Sequence, residues 1–381
     1  MSSLSFMKWT MRRLGAGLVV VMLAIAGDAS AGSKVRVKVD PRIELISIVQ
    51  YLADYDSVLT KIGFPNRQFN EDNFQYKTSL IAHFQPQKNH PAVLYYREML
   101  QSGCWLGAPV EAILHFSDPP ALHQNSELSE FPIRRCGGKD QLLTWVAKLR
   151  EFARDSQFES FRKSQARFYD ETEDAVYRQS TLDRYVGLME AYYGYRQNSY
   201  SMLLAPLYDS CGFGPRTKAP NGRFDVYYVA GMMSLSNGSP RFGDGASLRY
   251  MVWHEFSHPF VNHLVDRYYK DFQLYESLFP PIEPQMRKNG YGDWNNVINE
   301  HLVDAVNVRL YALDLGSGES ESLLKTLVEH GFLYLPALCD RLKLYESQRG
   351  KYRTLDDFFP EFVQVFNEIQ EKSLPGVKRM N

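Results

Sequence analysis

Apolar residues in this chain recur mostly at helical spacing, and glycine and proline mark the places where they stop doing so. In segments 40–54, 90–103 and 138–155 the apolar positions fall three and four apart, which predicts amphipathic helices. The run 159–186 contains neither proline nor glycine, so helix is expected through much of it, with Gly187 as the break. The pattern changes after Asn198. Segments 200–207 and 223–233 are rich in β-formers, and the glycines and prolines of 211–222 between them predict turns. Beyond Ala246 helical spacing returns. It covers 248–265, then 294–313, where Ile298, Leu302, Ala305 and Val306 share one stripe and Gly316 is the stop, then 319–348 and 355–372. The stretch 279–293, with three prolines, reads as a loop. No repeat or low-complexity segment interrupts this order. The expected fold class is α+β, helix-dominated, with one small mixed sheet.

The N-terminus changes the count of structural residues. Lys8, Arg12 and Arg13 precede an apolar run from Leu14 to Gly27, and Ala29-Ser30-Ala31 supplies small residues for cleavage, the pattern of a secretory signal. Residues 1–31 are therefore expected to be removed near Ala31, leaving a periplasmic or secreted protein. The run is too short to span a bilayer comfortably and no cysteine follows it for lipidation, so no stable membrane anchor is expected. About 350 residues remain, enough for one large or two smaller domains. A linear reading divides them into a mostly helical region, 32–198, and a second region, 199–381. With 43 basic and 44 acidic residues the net charge is −1, which argues against a nucleic-acid partner. Oligomeric state is open.

The four cysteines, Cys104, Cys136, Cys211 and Cys339, lack C-x-x-C spacing and so do not suggest a cysteine metal site. In an oxidising compartment they allow three pairings. Cys104 with Cys136 is favoured, because it would close a loop-rich stretch containing Pro119 and Pro120, while Cys339 fits equally well as a buried thiol.

The chemistry centres on His254-Glu255-Phe256-Ser257-His258. On a helix, four residues are about 400° of rotation, so His254 and His258 project from one face a turn apart, with Glu255 about 100° round from the first. Two imidazoles so spaced suit one metal ion, and the carboxylate suits a general base. A catalytic site needs a third protein ligand. Segment 299–305 offers Glu300, with Asp304 on the same face, and Asp304 can accept the free ring N–H of His254 and so select the nitrogen that meets the metal. The blander alternatives are surface histidines, an exposed Glu300, and an Asp304 that bonds only Asn307.

H-E-F-S-H followed by N-E-x-x-x-D resembles the gluzincin superfamily of zinc metallopeptidases. The resemblance covers about 248–313 and implies a zincin-like core, with the sheet beside the H-E-x-x-H helix. It also implies a zinc ion (Zn2+) held by His254, His258 and Glu300, with Asp304 supporting a histidine and Glu255 catalytic. It implies further that a strand at 224–230 edges the cleft and pairs with extended peptide, the alternative being an ordinary core strand. A broader resemblance rests on Val39-Asp40-Pro41-Arg42-Ile43-Glu44-Leu45, Asn89-His90-Pro91-Ala92-Val93 and Gly331-Phe332-Leu333-Tyr334-Leu335. These look like a bacterial secreted family of uncharacterised proteins built around H-E-F-S-H-x-F-x-N and described only as metallopeptidase-like.

Other ligand schemes fit less well. The metzincin glycine and third-histidine positions are Val261 and Leu264, His263 is out of phase with the pair, and His301 points about 100° away from Glu300. Pro259 should kink the helix just past the pair, with Asn262 serving the freed carbonyls or reaching the cleft. The expected activity is hydrolysis of a peptide or protein substrate, with His330, Tyr291, Tyr334 or Tyr345 as the donor to the oxyanion. The competing reading is a catalytically inactive zincin-like module that captures peptides.

Overall fold

The computed structural model describes residues 33–61 and 68–373, and the expected signal segment 1–31 lies outside them. Strand β1 (Val35–Lys38) leads directly into helix α1 (Pro41–Leu52). Asp40 fixes that junction. Its side chain accepts the Arg42 N–H at 2.9 Å, and Pro41 sits in the first turn, where its missing N–H costs nothing. Helices α2 (Pro91–Gln101), α3 (Lys139–Asp155) and α4 (Ala166–Gln179) follow, with shorter helices between them. The pairing of Cys104 with Cys136 is present, and Cys211 and Cys339 are free and buried.

The sheet draws distant segments together. Strands β2 (Ser199–Asp209), β3 (Gly212–Phe213), β4 (Arg216–Lys218) and β5 (Phe224–Met232) join β1 in one mixed sheet. β1 and β5 flank β2 in parallel, with Val35 opposite Tyr200 and Tyr200 opposite Val226. Tyr200 to Tyr208 of β2 are accordingly buried without alternation, as expected of an interior parallel strand. β3 and β4 pair antiparallel with the other side of β5. β5 is thus an interior strand with both edges used, so the edge-strand docking site implied for 224–230 is not present. The glycines and prolines of 211–222 fold back as β3 and β4 and cover that edge.

Helix α5 (Leu182–Tyr193), helix α6 (Gly245–Arg267) and helix α7 (Trp294–Leu315) are followed by α8 (Ser317–Glu329), α9 (Leu335–Ser347) and α10 (Pro360–Ser373). Gly187 lies inside α5, and the expected break falls earlier, between α4 and α5. A single glycine costs a helix only about 1 kcal/mol, which the packing of α5 outweighs. The proline-rich loop also contains a helix, Glu283–Asn289, with Pro284 in its first turn.

The chain is helix-dominated α+β with a small mixed sheet, as its spacing predicts. Its compact units do not follow the linear boundary at residue 198. One unit comprises Lys34–Leu182 with Gln197–Met251, and the other includes Asp183–Arg196 and the residues from Val252 onward. The reason is the parallel pairing of β1 with β2, which needs a long crossover and so ties the N-terminal helices to strands beyond residue 198. No helix among the described residues is long and apolar enough to cross a membrane.

Candidate metal centre

Helix α6 is held by large side chains on its buried faces. Trp253 donates its indole N–H to the Tyr185 carbonyl at 3.0 Å and packs edge-on against Tyr311 of α7, with ring centroids 5.5 Å apart. Phe260 stacks on Tyr193 at 4.2 Å. α6 runs continuously through Pro259 from Gly245 to Arg267, so the proline does not end it. These contacts fix the roll of α6 against α5 and α7, and the roll decides where its histidines point. α7 starts at Asp293, whose carboxylate accepts the Asn296 N–H at 2.9 Å, and stops at Gly316 in the left-handed region.

The two helices bring His254, His258 and Glu300 together. One ligand atom from each lies within 4.8 Å of the others, a group that can hold a metal ion. His254 Nε2 is 3.4 Å from Glu300 Oε2, and His258 Nε2 is 3.8 Å from Glu300 Oε1. The imidazole rings stand almost perpendicular, with centroids 4.9 Å apart. Asp304 Oδ1 lies 3.1 Å from His254 Nδ1, so the hydrogen on Nδ1 stays with Asp304, and Nε2, once deprotonated, turns its lone pair toward Glu300. Glu300 Oε2 makes no hydrogen bond of good geometry although it is buried, and such an acceptor is suited to a cation.

Electrostatics reinforce that reading. Burial alone would lower the His254 pKa, but the Asp304 and Glu300 carboxylates outweigh it and hold the imidazolium form well above its usual range. Burial pushes Glu255 up to about 7, with Glu300 and Asp304 adding to the rise against His254. Its carboxyl is therefore poised between proton acceptor and donor near neutral pH. Burial lowers His258 despite the nearby Glu300. Glu300 itself is lowered, because His258, His254 and Tyr291 together exceed the cost of burial.

The four donor candidates separate clearly. Tyr334 gives its hydroxyl to the Leu278 carbonyl at 2.5 Å, and Tyr345 gives its own to Tyr192 at 2.6 Å. The Nδ1 of His330 lies 2.8 Å from the Thr326 carbonyl of its own helix. Tyr291 alone of the four lies beside the site, and burial with the adjacent Glu300 and Asp304 carboxylates pushes its phenol well above the usual range. His301 is a packing residue: it lies between Phe332 and Tyr334, its Nδ1 is 2.8 Å from the Val297 carbonyl, and burial lowers it to about 4. His263 faces its own Pro259 carbonyl at 3.2 Å and does not join the group. Of its two expected partners, the freed carbonyls and the cleft, Asn262 meets the second. Its Oδ1 lies 3.2 Å from His258 Nδ1. The i, i+4 spacing on α6 was the signal for that contact.

A family model described as a domain of unknown function (DUF4932) matches residues 35–365. No curated protein and no solved structure matches the chain.

Proposed function

We propose, for a chain that belongs to the DUF4932 family, that it is a zinc-dependent metallopeptidase of gluzincin type, acting on peptide or protein substrates outside the cytoplasm. The observation that carries this reading is the convergence of His254, His258 and Glu300 beside a buried Glu255. Two neutral imidazoles and one carboxylate are an established donor set for catalytic zinc, and the geometry of all three fits it. Zinc at these atoms would supply Lewis acidity to a water and to the scissile carbonyl.

The chain's own residues account for the remaining chemistry. Glu255, with its pKa near 7, accepts the proton of the attacking water and returns it to the departing amine. Tyr291 is the donor best placed to stabilise negative charge on the carbonyl oxygen, since the other three candidates are turned to backbone carbonyls. Asp304 keeps His254 in the tautomer that presents Nε2.

Replacing Glu255 by Gln tests the reading in a single protein. Zinc content should stay at one per chain, while cleavage of a mixed peptide library should fall by about 10²–10⁴-fold. A wild-type protein that binds zinc yet cleaves nothing in that library would favour peptide capture without turnover.

A further inference from the structure

The two histidines of the site are oriented by different chemistry. His254 Nδ1 faces a carboxylate from α7, whereas His258 Nδ1 faces the Asn262 amide oxygen, one turn along its own helix. We infer that Asn262 is a positioning residue of the metal site, fixing the ring and tautomer of His258 so that Nε2 points to the ion. The inference rests on the metal reading proposed above.

The amide's orientation carries the argument. Asn262 presents Oδ1, so Nδ1 of His258 bears the hydrogen and Nε2 keeps its lone pair on the side of Glu300, 3.8 Å from Oε1. Had the amide nitrogen faced the ring, Nε2 would carry the proton and could not ligate. Asn299, adjacent to Glu300 in the chain, donates its amide N–H to the Asn295 carbonyl at 3.0 Å, and the oxygen at His258 Nδ1 is that of Asn262. The support for His258 thus comes from α6 itself, while His254 depends on α7 for its partner. The neutral amide also avoids adding a negative charge to the buried Glu255 and Asp304 and the partly covered Glu300.

The test compares Asn262→Ala, Asn262→Leu and Asn262→Asp in the full mature chain. Zinc affinity is measured by competition with a chromophoric chelator, and the visible bands of the Co2+ form report ligand geometry. Ala and Leu should weaken zinc by about 10–100-fold and shift the Co2+ bands, while Asp, which restores an accepting oxygen, should stay within about threefold of wild type. Zinc affinity within about twofold of wild type in both Ala and Leu variants overturns the inference, as does an equal loss in all three. A role limited to packing would lower the thermal stability of the metal-free variants and leave the Co2+ bands unmoved. If wild type itself takes up no metal, the proposed function fails first, and this outcome is distinct from a normal wild type with an indifferent Asn262.

Discussion

Two buried clusters of charged side chains, one around Glu44 and one around Glu300, are assembled from the same residue types to opposite ends. Glu44 is satisfied on both oxygens: Oε1 accepts the Tyr76 hydroxyl at 2.5 Å and that of Tyr169, and Oε2 pairs with Arg162. Nearby Asp40 takes two side-chain bonds from Arg42 and an ammonium from Lys38 at 2.8 Å. Every carboxylate there faces a fixed cation. Around Glu300 the ion-pair partners are imidazoles, and the partly covered Glu300 with the buried Glu255 and Asp304 places three carboxyls in one region. Burying negative charge against neutral rings is unfavourable unless a proton or a metal ion joins them. The contrast separates a charge network that supplies its own counter-ions from one whose side chains could hold a metal ion.

Perturbing each cluster should therefore produce different kinds of loss. The largest is expected from Glu44→Ala, which strands Arg162 and should destabilise the fold by about 3 kcal/mol in urea titrations, with zinc affinity per folded molecule unchanged. Asp304→Ala should do the reverse, lowering zinc affinity by about 10–100-fold with a smaller change in stability. Metal uptake should also release a proton, because His254 is held protonated by Asp304 and Glu300 and must lose that proton to ligate. Calorimetric titrations in buffers of different ionisation enthalpy would detect it, and affinity should weaken as pH falls. The smallest effect concerns Asp40. Although burial opposes ionisation, Arg42 and Lys38 hold its carboxyl far below the usual range. Its contribution to stability is thus complete above the unfolded value of about 3.9 and is lost as pH falls below it, so Asp40→Asn should flatten the acid limb of the stability curve.

How legible these features are in the sequence follows from their range along the chain. Helices at 41–52, 91–101 and 139–155 are set by local spacing and caps, and their predicted limits lie within two residues of the observed ones. The site is legible for the same reason, since each half is a short motif on one helix and the Glu300–Asp304 spacing names its own partner. Gly187 misleads because tertiary packing outweighs a weak local preference. The interleaved units depend on the pairing of β1 with β2, between residues more than 150 apart, and the interior position of β5 on its pairing with β2, β3 and β4, which the pattern within one strand does not encode. Asn262 lies between these cases: its spacing from His258 is visible, but the direction of its amide is a property of the folded helix.

The most direct test of the central claim is anomalous diffraction at the zinc absorption edge from crystals of the metal-loaded protein. The account expects one strong peak at about 2.0–2.2 Å from His254 Nε2, His258 Nε2 and a Glu300 oxygen. A loaded protein whose peak lies elsewhere, or which shows none beside these three atoms, would contradict it.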